Sequence, residues 1–325
     1  LLTIIIISPL CLIIAKKRKN MLKKLKSFII LLTLIFCLIY SLINSNIIIN
    51  DIIESLDIFI NKLFPVMFFF YTLSDLLINY NFIKVLEVLF NKLFLKLFHI
   101  SGASSFIVIM SMLSGFPSGA KYTVDFLEKK LINKEQAEYL LTFTHFSNPL
   151  FIMGTIALLF NKKIAITILF CHYLSNFILA FIIRPKQISI ETSPPKPLKK
   201  SFSDTLSESF IKTFKVLFLI LGNTIFFYTI SDIFTHKIKS KLIKTIIYGL
   251  SDLTKGIISI KALNITIFFK TLLIISFLSF GGLSVHFQVK EIIGKQKLDY
   301  KYFLLGRISS LAISIILLII IYIIK

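Results

Sequence analysis

The chain has 325 residues, of which 56% are hydrophobic and only 16% charged, and its mean hydropathy is +0.86. A water-soluble chain of this length needs more charge to cover its surface, so the composition excludes a soluble domain and points to a helical membrane protein. The net charge of +21 comes from lysines that flank apolar runs, as in cytoplasmic loops, and no basic patch for nucleic acid is expected.

Residues 1–20 join the apolar stretch Leu1–Ala15 to the cluster Lys16-Lys17-Arg18-Lys19. Because spanning takes roughly 20 apolar residues, this segment reads as an upstream start miscall or a short apolar segment, with the chain reading naturally from Met21. Residues 21–50 hold the first spanning helix, Phe28–Ile49. The basic cluster before it places its N-terminus in the cytoplasm. With no small-residue cleavage site, it suits an uncleaved signal anchor.

Residues 51–184 read as a first repeat. Asp51–Phe64 is amphipathic, and Pro65 opens an apolar helix to Tyr80. Phe82–Ile100 is amphipathic again and suits the membrane interface. Ser104–Leu113 is too short to span and runs into Ser114-Gly115-Phe116-Pro117-Ser118-Gly119, which predicts a re-entrant hairpin. Glu138–Phe160 has spanning length but contains Ser147-Asn148-Pro149. Proline removes a helix donor and pushes its predecessor out of the helical region, so two half-helices, 138–146 and 150–160, are expected. Breaks at membrane depth survive only against protein or a wet cavity. Ile164–Ile183 then spans.

Residues 185–201 form a Pro/Ser/Lys linker, expected in the cytoplasm. Residues 202–325 read as a second repeat. Phe202–Lys215 is amphipathic, Val216–Phe234 spans, and Lys237–Leu263 is amphipathic and basic. Ile265–Phe280 runs into Gly281-Gly282-Leu283-Ser284, and Ile308–Ile324 is the last span, after Arg307.

The halves share a motif. Phe69-Phe70-Tyr71-Thr72-Leu73-Ser74-Asp75 matches Phe226-Phe227-Tyr228-Thr229-Ile230-Ser231-Asp232 at six of seven positions, 157 residues apart. Ser111, Leu113 and Ser114 fall on Ser276, Leu278 and Ser279 at an offset of 165, pairing the first hairpin with the glycines at 281–282. Counting crossings makes the second half inverted relative to the first, the arrangement of many secondary transporters. The lysines of 237–261 then fall outside, against the positive-inside rule.

Ser/Gly tips let backbone approach a ligand, and the helix that follows aims free N–H groups at it, which suits a polar or anionic solute. The candidate substrate-binding residues are Ser114, Gly115, Pro117, Ser118, Gly119 and Lys121 at the first tip. Thr144, Ser147, Asn148 and Pro149 join them from the broken helix, and Gly281, Gly282 and Ser284 from the second tip. Lys121, with His286 as its counterpart, either pairs with a carboxylate or snorkels to the cytoplasm. Asp75 and Asp232 are ion-coupling candidates or interfacial caps, and Glu135 and Glu138 suit a helix N-terminus. Cys11, Cys37 and Cys171 lie singly in apolar runs, and the histidines, His145 included, have no ligand spacing, so neither a metal nor a disulfide framework is expected. No nucleotide-binding, nucleophile-elbow or HExxH motif occurs, so neither enzymatic activity nor a cofactor is expected.

Two stretches carry a resemblance: Ser114-Gly-Phe-Pro-Ser-Gly-Ala-Lys121 with Glu135-Gln-Ala-Glu138, and Phe146-Ser-Asn-Pro-Leu-Phe-Ile-Met-Gly-Thr155. From about Met21 onward the chain resembles the YlbJ-type sporulation integral membrane proteins, which carry the nucleoside-recognition Gate domain. The second half carries the resemblance less strongly, on Gly281-Gly282. The resemblance implies an all-α polytopic fold of two inverted repeats with re-entrant hairpins, similar to concentrative nucleoside transporters. It also implies a bacterial cell membrane or outer forespore membrane location, and a role in moving dipicolinic acid out of the mother cell during endospore formation. The expected partners are the small-molecule substrate and the lipid bilayer, with homo-oligomerisation left open. Two alternatives stand beside dipicolinate transport: a nucleoside or other metabolite carrier, and a non-transporting scaffold of spore assembly.

Overall fold

The computed structural model describes residues 2–186 and 201–324, with side chains from residue 24 onward and at Met21. Most of the 185–201 linker lies outside the described residues, as do the side chains of residues 1–20. The chain divides into two units, residues 1–50 and 51–325. In the first, α1 (Leu2–Ile43) is one helix of 42 residues whose part Lys24–Ile43 is long and apolar enough to cross a membrane. The span is shifted from the expected Phe28–Ile49 because a turn at Asn44 ends the helix, and α2 (Ser45–Ile58) begins after it.

α2 continues through a π turn, π1 (Phe59–Leu63), into α3 (Phe64–Asn79). Pro65 has no N–H to extend the preceding ladder, and the helix widens just before it. α4 (Phe82–Phe98) is bounded by Asn81 and His99, both left-handed with φ of 62° and 56°. It buries Ile83, Leu86, Phe94 and Phe98. A bend of 98° separates it from a short 3-10 turn, Gly102–Ser104, and α5 (Ser105–Ser114). Gly115, Phe116 and Pro117 turn the chain into α6 (Ser118–Glu128). A capping box between Asn133 and Gln136 starts α7 (Lys134–Phe143). The chain is unwound over 144–148, then resumes through Pro149 and Leu150 into a second π turn, π2 (Phe151–Ile156), and α8 (Ala157–Leu159). α9 (Lys162–Ile182), capped by Asn161, ends this half.

In the second half α10 (Phe202–Thr235) is one helix of 34 residues, not an amphipathic segment followed by a separate span. Thr205, Ser209 and Thr213 form a small polar stripe buried against α3, where Thr213 meets Thr72 at 3.3 Å and Ser209 donates to Asp75 at 2.7 Å. The polar positions that read as an interfacial face are thus a helix–helix contact.

The expected single amphipathic segment 237–263 is a hairpin of α11 (Lys241–Ser251) and α12 (Leu253–Ile260), turning at Asp252. Gly249 and Gly256 permit this: a Cβ on Gly256 would run into the Gly249 backbone, and the Phe277 ring lies over Gly249. α13 (Ile267–Phe280) and α14 (Gly282–Gly294) are separated only by Gly281, at φ +94°. Residues Ile267–Gly294 together form a stretch long and apolar enough to cross a membrane. Gly281–Ser284, expected as a second hairpin tip, interrupts a long span instead. α15 (Tyr300–Ile324) closes the chain.

The hairpins do not fall where the 165-residue offset puts them: the second is α11–α12, and Gly281 interrupts a span. The hairpin α5–α6 matches α11–α12, and the span broken at 144–148 matches the span broken at Gly281. The shared motif marks this pairing. Lys121 of α6 lies over the Tyr71 ring at 5.6 Å, and Lys255 of α12 lies over the Tyr228 ring at 4.0 Å. The counterpart of Lys121 is Lys255, not His286.

Besides α1, the described residues contain four stretches long and apolar enough to cross a membrane: Lys162–Ile182, Phe202–Thr235, Ile267–Gly294 and Tyr300–Ile324. Phe82–Phe98 with Gly102–Ser114 passes only as a bent pair. Phe170, Phe218, Phe226 and Ile316 are exposed on these helices, as bilayer-facing positions must be.

Candidate functional site

Backbone breaks demand partners, and at the first break the sequence supplies them. Gly115, at φ +79°, reverses the chain, and its amide donates to the Ser111 carbonyl at 3.0 Å. A Cβ at Gly115 would lie 2.9 Å from the Asn148 nitrogen, and one at Gly119 would run into the Thr144 carbonyl. The tip thus lies directly on the unwound stretch, and glycine is what permits the approach.

The unwound residues are satisfied from several sides. The Ser147 amide donates to His172 Nε2 at 3.0 Å, and Tyr173 donates to the carbonyls of Ser147 (3.0 Å) and Met112 (2.8 Å). Asn148 restarts the helix, its Oδ1 accepting from the Phe151 amide at 2.6 Å. Arg307 reaches in from α15. It donates to the carbonyls of His145 (3.0 Å) and Thr142 (3.2 Å) and to Asn176 Oδ1 (2.9 Å). Its side chain is fully buried with no carboxylate among these partners. The guanidinium fork holds the Thr142 carbonyl at the end of α7, where the helix dipole is negative, and the His145 carbonyl of the unwound stretch. Arg307 had read as a charge ahead of a span, since nothing in its local sequence distinguishes a flanking arginine from a buried clamp.

The second hairpin turn is built differently. Asp252 fills the start of α12: its Oδ1 accepts from the amides of Thr254 (2.9 Å) and Lys255 (3.1 Å), and its Oδ2 accepts from Ser284 at 2.9 Å. A Cβ at Gly282 would lie 3.1 Å from the Leu253 nitrogen, so here too the hairpin tip lies on the interrupted span.

Both tips and both interrupted spans border one cavity of about 50 Å³. Its polar lining comes from Ser147, Asn148, Asp252, Thr254, Ser284 and Gln288, with Thr224 of α10. Phe116 of the first tip and Phe151 supply aromatic surface, and Leu63 of π1 also reaches it, so both π turns border the cavity. Among the described residues no Lys, Arg or His lines it.

Of the residues singled out from sequence, Ser147, Asn148 and Ser284 line this cavity. Gly115, Gly119 and Gly282 shape it from behind. Thr144 bonds the Leu140 carbonyl at 2.8 Å, and Ser114 and Ser118 also bond backbone within their own turns. Pro117 caps α6, Pro149 follows the unwound stretch and Gly281 is the second interruption. Lys121 faces α3 instead, paired with Asp125 at 3.0 Å. His286 bonds the Phe280 carbonyl at 2.9 Å. Sequence reasoning missed Phe116, Asp252, Thr254 and Gln288. The signal for Asp252 was present: Leu250-Ser251-Asp252 echoes Leu113-Ser114-Gly115, between two glycines.

A larger cavity, about 340 Å³, is lined by Glu135, Glu138, Tyr139, Thr142, Tyr302 and Ser309. It has acidic walls and no converging backbone breaks.

Over 286 residues the chain is 24% identical to the sporulation integral membrane protein YlbJ of Bacillus subtilis (strain 168), an alignment taking in 75% of this chain and 70% of that protein. No profile of a known family matches, and no solved structure matches.

Proposed function

Proceeding from this similarity to a YlbJ-type sporulation integral membrane protein, we propose that the chain is a membrane transporter of a small polar or anionic metabolite, not an enzyme. Dipicolinate, moved from the mother cell across the outer forespore membrane, is the leading solute. The cavity where two hairpin tips meet two interrupted spans carries this reading. A scaffold has no use for breaks held at matched positions around a polar pocket, whereas broken helices around a central site are how many secondary transporters bind solute. In this reading the halves form inverted repeats, as in concentrative nucleoside transporters, and the N-terminus is cytoplasmic.

The test is dipicolinic acid content in sporulating cells lacking the protein, sampled separately from mother cell and forespore. Acid stranded in the mother cell despite normal synthesis is the expected result. Normal accumulation in the spore would remove the assignment.

A second reading is favoured by the cavity lining. Asp252, Asn148, Gln288 and Phe116 offer the hydrogen-bonding and stacking groups that suit a neutral ring such as a nucleoside, and no side-chain cation answers a carboxylate. Nucleoside uptake lost in the deletion strain, with dipicolinate unaffected, would select it.

A further inference from the structure

We propose that Asp51 and Asp232 form a proton-binding pair that couples solute movement to proton movement. The inference deepens the transport reading and rests on it.

The two halves differ at their matching aspartates. In the first, Asp75 is well supplied with donors: Ser209 at 2.7 Å and Lys212 at 3.3 Å. In the second the balance reverses. Lys255 pairs with Asp232 and lies 3.6 Å from Asp51, so two carboxyls share one ammonium. Asp51 and Asp232 thus converge on the same ammonium from α2 and α10. The Oδ2 of Asp51 is buried without a hydrogen-bond partner.

The surroundings do not correct the imbalance. α2 adds Glu54, which accepts from Tyr228 at 2.8 Å. From α11, Tyr248 donates to Asp232. The rings of Tyr228 and Tyr248 cover the Lys255 ammonium at 4.0 and 4.7 Å. From α12 only Lys255 is cationic, and Asp252, one turn back, is a further acid. Two ionised carboxylates around one ammonium repel each other, whereas a proton held by the pair relieves the repulsion.

The pair is wired to the cavity through the start of α12, residues 252–255. Asp252 and Thr254 line the cavity, and Lys255, whose amide Asp252 caps, carries the ammonium to the carboxyl pair. Loss of the proton strengthens the pull on Lys255 and hence on the start of α12. A solute with two carboxylates also crosses a cavity without side-chain cations more easily when a proton travels with it. The proton enters the pair from one side of the membrane and leaves to water on the other, one for each solute carried.

The test uses the full-length protein in proteoliposomes, with radiolabelled dipicolinate and an imposed pH gradient. Uptake by the wild type is expected to rise several-fold with the gradient. Asp51→Asn is expected to abolish that rise, while dipicolinate exchange without a gradient persists. Asp232→Asn is expected to lose the gradient effect as well. An unchanged gradient effect in Asp51→Asn would overturn the proposal. Infrared difference spectra between acid and alkaline buffer give a readout free of transport. A protonated-carboxyl band present in the wild type and missing from Asp51→Asn supports the pair, and its absence from the wild type sinks it. If no solute moves at all, the transport reading falls and the infrared band alone decides the proton pair.

Discussion

Arg307 shows what a single residue does in this fold. An arginine buried in a spanning helix is costly unless its donors are used, and three polar groups at the first break use them. Arg307→Met removes the donors and leaves the Thr142 and His145 carbonyls buried and unpaired. The expected loss is about 3 kcal/mol, from one to three per orphaned group, read as a lower Tm of the detergent-purified protein. Arg307→Lys is expected to recover only part of it, because a point ammonium cannot bridge carbonyls that a planar fork spans. A wild-type Tm for Arg307→Met would mean that the break is held by other contacts. At this scale sequence reading succeeded where chemistry is local. Ser147-Asn148-Pro149 announces an unwound helix by itself, whereas Lys121 and Arg307 have roles set by helices far away in sequence, and those roles stayed hidden.

Among the elements, the hairpins depend on glycine at two kinds of position. Gly115 has a φ of +79° and a ψ of −168°, a region essentially reserved for glycine. Gly115→Ala is expected to cost about 1–3 kcal/mol of backbone strain and to push the tip off Asn148, so that stability and solute binding fall together. Isothermal titration with dipicolinate checks the second effect, and unchanged binding would detach the first tip from the site. Gly256 acts by proximity, because α12 reaches Gly249 of α11 with no room for a side chain. Gly256→Val is expected to spread the second hairpin and abolish binding. The first hairpin was legible because Gly-Phe-Pro-Ser-Gly cannot continue a helix. The second was not, because Ser251-Asp252-Leu253 carries no proline or glycine at the turn. Its two glycines stand three and four residues away from Asp252, and the adjacent glycines that stand out in sequence are Gly281-Gly282.

Across the whole molecule, the motif shared by Tyr71 and Tyr228 marks two like placements, each tyrosine lying under a lysine from the helix after a hairpin turn. The halves are not equivalent in charge. The first offers Gly115 at its tip and the second Asp252, so the cavity combines a bare backbone turn with a buried acid. That asymmetry suits a site that must bind a polar solute on one side and sense a proton on the other.

In the proposed mechanism solute occupies the cavity between the tips. That occupancy is tested most directly by placing a single cysteine at Ser284 in a background where Cys11, Cys37 and Cys171 are replaced, then labelling membranes with an impermeant maleimide with and without dipicolinate. The account expects labelling that dipicolinate slows, because Ser284 lines the cavity beside Asp252. Labelling at the same rate with and without dipicolinate, in protein that still binds it, would contradict the account and place the solute elsewhere.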